Sequence, residues 1–195
     1  MARFDVELTA LDGIVVLRPT IFRDARGYFL ESYNKREFER IGLPTEFVQD
    51  NLSQSQRGVI RGLHFQWDPP LGKLLRVIVG RIQLVELDIR PGSPYLGNHL
   101  TLELSDDNHR TVWIPPGFAN GFLVLSQTAI VQYKCSAFYN PQAEGSIRWN
   151  DPVLGIPWQL DGEPIVSDKD ANGMTLSEWL AHPAANHFAY HHHQT

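Results

Sequence analysis

The chain has 195 residues, of which 43% are hydrophobic and 20% charged, and its net charge is −5. This length suits a single domain over 1–195, with the structured core expected at about 12–180. The charge gives no reason to expect nucleic-acid binding, and no apolar run approaches the roughly 20 residues of a membrane span. Since the first residues also lack a signal-peptide layout, we expect a cytoplasmic protein. A single cysteine, Cys135, excludes an internal disulfide and is expected to serve packing.

The first part of the chain combines one strand pattern with one helix pattern. Residues 13–22 alternate between apolar and polar types, and a turn-rich basic segment follows at 23–29. Residues 30–42 have apolar side chains at helical spacing, and Gly42 ends that pattern. We therefore predict a helix over 30–42, the only one indicated before residue 150.

From residue 45 onward the pattern is typical of short strands. Each segment has many β-branched and aromatic residues and is bounded by Gly, Pro, Asn or Asp. The predicted strands lie within 45–55, 58–66, 73–80, 81–90, 96–105, 110–117, 118–126, 129–139 and 145–151. This spacing predicts an all-β sandwich or jelly roll with a few short peripheral helices.

The last part of the chain carries little regular pattern. A short helix is predicted over 174–182, after an irregular stretch. The tail 183–195 is polar and rich in histidine, so we expect it to be flexible.

A metal site is the first possibility for a β-sandwich that contains histidines. One common arrangement needs two histidines one residue apart, a carboxylate and a later histidine. Here Gln66 follows His64, and Asn120 stands where the later imidazole is needed. We therefore predict no metal site. The cluster at 191–193 could bind metal only adventitiously, because a flexible tail offers no preorganised geometry.

His64 has two interpretations. It could be a core histidine that is satisfied by a backbone carbonyl, or a general base. Arg61 on the same predicted strand and Lys73 on the next one favour an anion-binding cleft beside it. Such a base needs a carboxylate to keep its basicity, and either Asp168 or Asp170 in the segment "SDKD" could provide it.

Two phenols lie on or just after the predicted strand 129–139. Tyr133 and Tyr139 are six residues apart, so on a regular strand they share a face. Packing is the simpler role for each, and Tyr133 becomes a candidate acid if a base lies nearby.

Taken together, these segments resemble the dTDP-4-dehydrorhamnose 3,5-epimerase family. Nine segments carry the resemblance, in order and at family-like spacing over about 12–180. They are "FRDARGYFLESYN", "FVQDNLSQS", "VIRGLHFQ", "GKLLRVIVG", "DIRPGSPYLG", "WIPPGFANGF", "YKCSAFYNP", "GSIRWNDP" and "SDKD".

The resemblance implies a cupin-like jelly roll that works as a homodimer without metal or organic cofactor. Its implied substrate is a 4-keto-6-deoxyhexose linked to dTDP, the precursor of dTDP-L-rhamnose. The ketone acidifies the C–H bonds on both neighbouring carbons, so a base and an acid on opposite faces can invert carbons 3 and 5.

The resemblance also assigns roles to individual residues. His64 matches the general base and Asp170 the carboxylate that orients it, while Lys73 matches the cation beside the keto oxygen. Tyr133 matches the acid that returns a proton from the opposite face. The implied substrate-binding residues are Phe22, Arg26, Phe29, Glu31, Gln49, Asn51, Arg61, Asn120 and Tyr139, some of them reaching the pocket of the partner subunit.

One position departs from the family pattern. The family has Gly-Phe-Ala-His-Gly-Phe where this chain has "GFANGF", so Asn120 replaces a histidine in or near the pocket. This replacement keeps two alternatives open: an epimerase that inverts one carbon of a related nucleotide sugar, and a binding protein without catalytic activity. The nucleotide, dTDP against CDP or GDP, also stays open.

Overall fold

The computed structural model describes residues 3–190, which are mostly β-sheet. The strands are β1 (Phe4–Leu8), β2 (Val15–Pro19), β3 (Ile21–Asp24), β4 (Gly27–Leu30), β5 (Gln49–Gln56), β6 (Ile60–Gln66), β7 (Lys73–Val79), β8 (Arg81–Asp88), β9 (His99–Ser105), β10 (Thr111–Ile114), β11 (Phe118–Val124), β12 (Thr128–Cys135) and β13 (Glu144–Ser146). The helices are α1 (Lys35–Arg40), α2 (Asp168–Ala171), α3 (Leu176–Ala181) and a 3-10 helix at Pro183–Phe188.

Two antiparallel sheets form the body of the molecule. One has six strands in the order β1-β2-β10-β7-β12-β5, and the other has five in the order β13-β6-β11-β8-β9. Strands that are distant in sequence alternate within each sheet, as in a jelly roll. The cupin-like jelly roll predicted from the sequence is therefore confirmed.

The main core lies between the two sheets. Leu75 and Val112 project into it from the six-stranded sheet, and Leu84 and Phe122 from the five-stranded one. Side chains that alternate in and out along each strand explain why these strands could be recognised from the sequence.

The outer face of the five-stranded sheet is also buried. Leu63, Phe65 and Val85 contact a layer formed by α3 and the 3-10 helix, in which Trp179 is fully buried. Since β8 is covered on both faces, seven of its eight residues are buried.

The C-terminal segment differs from our expectation of a flexible tail from residue 183. Residues 183–188 form the 3-10 helix, and Phe188 is buried among the rings of Phe65 and Trp179. Its aromatic and small apolar residues have a sheet face to cover, which the sequence pattern of the segment alone did not reveal. Residues 191–195, which include the histidine cluster, lie outside the described part of the chain.

The N-terminal region differs from the sequence prediction in two places. The basic segment 23–29 is not only a turn: it completes the hairpin β3–β4, paired from Ile21↔Leu30 to Asp24↔Gly27. The predicted helix is shorter than 30–42, because the Asn34 side chain accepts hydrogen bonds from two backbone N–H groups and begins α1 there. None of the helices within residues 3–190 is long and apolar enough to cross a bilayer.

Candidate active site

One wall of the candidate site is formed by three neighbouring strands. Asn120 on β11 pairs with His64 on β6 and with Glu86 on β8, which places the three residues in one row across the five-stranded sheet. Leu63 and Phe65, the neighbours of His64, point to the outer layer, so His64 itself points between the sheets.

The backbones of β6 and β11 lie very close together beside this row, at Gly62 and Gly121. Gly62 has φ +134°, and a Cβ atom there would lie 2.4 Å from the Cα atom of Gly121. Glycine is therefore required at position 62 both for its backbone conformation and for space. The same residue supplies a backbone N–H to the site.

The opposite wall belongs to the six-stranded sheet. Lys73 on β7 pairs with Cys135 on β12, and Tyr133 on β12 pairs with Asn51 on β5. Because Tyr133 and Cys135 are two residues apart, they share a face with Lys73. The cleft between the walls, counted together with its open mouth, has a volume of about 440 Å³. It is lined by Asn51, His64, Phe65, Gln66, Leu71, Lys73, Tyr133, Cys135, Tyr139 and Glu144.

The imidazole of His64 is held by a carboxylate. Its Nε2 atom lies 2.5 Å from Oδ1 of Asp170, and Oδ2 of Asp170 accepts a hydrogen bond from the Gly62 N–H at 3.3 Å. Burial alone would raise the pKa of Asp170, but these hydrogen bonds and the nearby imidazole outweigh it and lower the pKa. Asp170 is therefore an anion that accepts the proton of Nε2, which leaves Nδ1 free to take a proton.

The structure also distinguishes the two aspartates of "SDKD". This segment belongs to the stretch that we expected to be irregular, but it forms the short helix α2, and Ser167 caps that helix by accepting a hydrogen bond from the Asp170 N–H. Asp170 faces inward with 4% of its surface exposed, whereas Asp168 is exposed. The helix therefore turns Asp170 toward His64 and Asp168 away from it.

Lys73 supplies the amine of the cleft. Its Nζ donates to Oδ1 of Asn120 at 3.2 Å and lies 5.5 Å from the ring centroid of Tyr133. Burial lowers the pKa of Lys73, and the negative charge of Glu86 opposes that effect. Burial also raises the pKa of the Tyr133 phenol, so this group holds its proton.

Polar groups at the rim connect three of the predicted binding residues. The backbone N–H of Tyr139 donates to Oε1 of Gln49 at 3.1 Å, and Nε2 of Gln49 donates to Oδ1 of Asn51 at 3.0 Å. The Tyr139 hydroxyl donates to Oε2 of Glu144 at 2.8 Å. Tyr139 lies beyond the end of β12, so it closes the mouth of the cleft instead of continuing the strand.

The remaining predicted binding residues do not join the cleft within one chain. Phe22, Arg26 and Phe29 line a separate hollow on the β3–β4 hairpin, where Phe29 is 64% exposed. Glu31 follows this hairpin and accepts a hydrogen bond from the side chain of Asn34 at 2.9 Å. Arg61 lies on β6, and its Nε donates to the Ser55 hydroxyl at 2.9 Å.

Sequence reasoning missed two carboxylates at the site. Glu86 is fully buried within β8, and Glu144 lies on β13, where it also pairs with Lys169 at 2.5 Å. A sequence signal existed for Glu86, because a carboxylate inside the apolar run "LVELDI" is seldom buried without a partner. No comparable signal marks Glu144.

The two positions that lack the histidines of a metal site have other partners. The amide of Gln66 donates to the carbonyl oxygens of Pro69 and Phe138, and Asn120 joins Lys73 to Glu86. No three metal-ligating side chains come together within residues 3–190. The absence of a metal requirement stays a prediction.

The fold and cleft define a class of protein: a cupin-like jelly roll with the groups of an acid–base isomerase. An imidazole–carboxylate pair lies on one wall, and the Tyr133 phenol with the amine of Lys73 lies on the other.

Comparison with known proteins identifies the family within this class. The family model described as dTDP-4-dehydrorhamnose 3,5-epimerase matches residues 8–178. The dTDP-4-dehydrorhamnose 3,5-epimerase of Methanothermobacter thermautotrophicus is 47% identical over 91% of this chain and 97% of its own length. The chain belongs to this epimerase family, as the sequence predicted, and it is an enzyme of the isomerase class.

Two solved structures extend the comparison. The dTDP-6-deoxy-D-glucose-3,5-epimerase of Legionella pneumophila, in complex with dTDP-4-keto-L-rhamnose, is 43% identical, with a TM-score of 0.87 over 89% of this chain and 93% of that one. ChmJ, a 3'-monoepimerase of Streptomyces bikiniensis in complex with dTDP-quinovose, is 31% identical, with a TM-score of 0.85 over 89% of this chain and 88% of that one.

Proposed function

We propose that this enzyme inverts carbons 3 and 5 of a dTDP-linked 4-keto-6-deoxyhexose in the supply of dTDP-L-rhamnose. The observation that carries the proposal is the cleft itself, where His64, Lys73 and Tyr133 line one cavity between the two sheets. A sugar held there meets a base on one side and an acid on the other. This is what inversion of a carbon next to a carbonyl requires.

The first step is removal of a proton by His64. Asp170 accepts the hydrogen bond of Nε2 and stays ionised, so Nδ1 carries the free lone pair and the imidazolium that forms is stabilised by the adjacent charge. The C–H bond next to the ketone breaks, and its electron pair moves toward the keto oxygen.

The second group acts on the oxygen that gains this charge. Lys73 presents an ammonium group to the cleft, and a preorganised cation beside a developing enolate oxygen is often the largest single contribution to rate. Asn120 accepts a hydrogen bond from Nζ and holds the group at a fixed place on its wall.

The third step returns a proton from the other wall. The Tyr133 phenol keeps its proton because its pKa is raised by burial, and its ring lies beside Lys73 on the six-stranded sheet. Delivery from this wall, after abstraction from the other, gives the inverted carbon. His64 then releases its proton to solvent and Tyr133 takes one up from solvent, and the same cycle at the second carbon completes the reaction.

We further propose a homodimer in which the β3–β4 hairpin completes the site of the partner subunit. Phe22, Tyr28 and Phe29 are exposed large apolar residues on two short strands, a grouping that a monomeric surface seldom carries. Arg26 at the tip offers a planar guanidinium for phosphate oxygens. Glu31, at the base of the hairpin, and Arg61, outside the cleft, are proposed to contact the nucleotide with them.

A second candidate is an epimerase that inverts only one carbon of a related nucleotide sugar. The observation in its favour is Asn120, which stands where the family pattern has histidine and contacts Lys73 directly. The four proposed catalytic groups are the same in both candidates, so the number of labelled carbons distinguishes them.

The test is exchange with heavy water. Protein is incubated with dTDP-4-keto-6-deoxyglucose in deuterium oxide, and the mass gain of the sugar is followed for wild type, His64→Ala and the control His187→Ala, whose side chain is exposed on the 3-10 helix. We expect exchange in wild type and the control, no exchange in His64→Ala, and dTDP binding in all three by calorimetry. Full turnover by His64→Ala would overturn the proposal.

A further inference from the structure

Glu86 is a buried carboxylate that the reaction scheme above does not use. It lies in the middle of β8 with none of its surface exposed, and its register partner on β11 is Asn120. A carboxylate removed from water is costly unless it is paired, so its partners indicate why it is there.

The partners of Glu86 lead to the catalytic wall. Oε1 of Glu86 accepts a hydrogen bond from Nδ2 of Asn120 at 2.7 Å, and Oδ1 of Asn120 accepts one from Nζ of Lys73 at 3.2 Å. Oε2 of Glu86 has no hydrogen-bond donor among residues 3–190. The amide of Asn120 thus bridges the carboxyl group of Glu86 and the amine of Lys73, and both hydrogen bonds form in only one orientation of the amide.

The charges of Glu86 and Lys73 also depend on each other. Burial lowers the pKa of Lys73 and raises that of Glu86 well above its ordinary value, while the charge of each opposes the effect on the other. Without the carboxylate, burial would favour the neutral amine, which stabilises an enolate oxygen poorly.

Other ionisable groups near Lys73 do not replace Glu86. They are Cys135 on β12, Glu144 on β13, Lys169 on α2, and the His64 and Tyr133 rings of the cleft. Burial raises the pKa of the Cys135 thiol, so it stays neutral, and Glu144 is already paired with Lys169. The main influence left to keep Lys73 charged is Glu86.

We propose that Glu86 is a positioning residue that acts through Asn120 and through its own charge to hold Lys73 in place and protonated at the keto oxygen. This inference rests on the proposed function of Lys73. It also gives Asn120 a role, since an amide can accept from an ammonium group and donate to a carboxylate at the same time.

The test is the isosteric variant Glu86→Gln, which keeps an oxygen for Asn120 and removes the charge. We expect the pKa of Lys73 to fall by roughly one to three units. The alkaline limb of kcat should move to lower pH by the same amount, while KM stays unchanged. Glu86→Asp, which keeps the charge, should retain most of the alkaline activity.

Glu103→Gln is the matched control, because it removes the same charge from an exposed position on the neighbouring strand β9. Thermal unfolding of each variant verifies that it is folded. A pH profile of Glu86→Gln that coincides with those of wild type and Glu103→Gln would overturn the positioning role.

A second measurement does not need the sugar. Reductive methylation with ¹³C-formaldehyde labels the lysines, and NMR titration follows the Lys73 signal, which is assigned by its loss in Lys73→Gln. A lower Lys73 pKa in Glu86→Gln supports the inference, and an unchanged pKa refutes it. If wild type takes up no deuterium into the sugar, the proposed function has failed. If wild type exchanges normally while Glu86→Gln matches it in both measurements, only the inference about Glu86 has failed.

Discussion

Replacing Asp170 by asparagine is the sharpest test of the imidazole–carboxylate pair. In the native protein the two carboxylate oxygens accept from two different donors, His64 Nε2 and the Gly62 N–H. In asparagine one of these two oxygen positions is taken by an N–H₂ group, which donates, so one of the two donors loses its acceptor. If the oxygen faces Gly62, the amide N–H₂ meets Nε2 and requires the other tautomer, in which Nδ1 carries the proton and cannot act as a base.

The expected effect depends on which of the two orientations the asparagine amide adopts. If the oxygen faces His64 instead, the Gly62 N–H is buried without an acceptor, at a cost of about 1–3 kcal/mol in the free energy of unfolding. If it faces Gly62, we expect proton abstraction to slow by roughly 10²–10⁴-fold, the range for loss of general-base support. At 1.36 kcal/mol per tenfold, this corresponds to about 3–5 kcal/mol in the activation barrier.

The assay is the initial rate of deuterium uptake into the sugar, with thermal unfolding measured in parallel. Asp168→Asn is the control, because it makes the same chemical change on the same short helix at an exposed position. The reasoning is refuted if Asp170→Asn keeps the wild-type rate and stability, or if Asp168→Asn loses as much activity as Asp170→Asn.

Three further predictions test other parts of the account. Tyr133→Phe should slow formation of the inverted product by roughly 10²-fold or more, while deuterium still enters the recovered substrate; equal loss of exchange and inversion, by NMR, would contradict a separate acid. Phe29→Asp should convert a dimer into monomers in analytical ultracentrifugation and lower activity, and a wild-type mass for the variant would contradict the hairpin interface. Phe188→Ala should lower the free energy of unfolding by about 3–5 kcal/mol in urea titration, whereas no loss would mean that the 3-10 helix does not pack on the sheet.

The pH dependence of stability has a definite sign at Asp170. Because the folded-state pKa of this carboxyl is lowered, its ionised form favours folding above the ordinary pKa of 3.8, and that contribution is lost as the pH falls through the lower folded-state value. The difference in unfolding free energy between wild type and Asp170→Asn should therefore narrow in acid. A difference that grows below pH 3.8 would contradict the lowered pKa.

The strands of the jelly roll could be predicted from the sequence because burial of their side chains repeats every second residue. β6, β7 and β8 each lie within a predicted segment, since Gly, Pro or charged residues bound them, and β12 begins one residue before its predicted segment. The hairpin β3–β4 could not be predicted in this way, because its apolar residues are exposed in the single chain and show no alternation of buried and exposed positions.

Less of the candidate site could be predicted from the sequence. The local sequence pattern could not show whether Asp168 or Asp170 faces His64. The answer depends on the turn of α2 and its Ser167 cap. Glu86 was missed because its role depends on hydrogen bonds that join it to Asn120 on β11 and, through Asn120, to Lys73 on β7. The residue pattern along one strand predicts which of its side chains share a face. It does not predict which residues of other strands those side chains contact.

The most direct test of the central claim is the position of the label in the product. Wild-type protein is incubated with dTDP-4-keto-6-deoxyglucose in deuterium oxide, and NMR locates deuterium on the sugar ring. We expect deuterium at carbons 3 and 5, both with inverted configuration, and none when His64 is replaced by alanine. Product formed without deuterium, or deuterium at either carbon in the His64 variant at the wild-type rate, would contradict it.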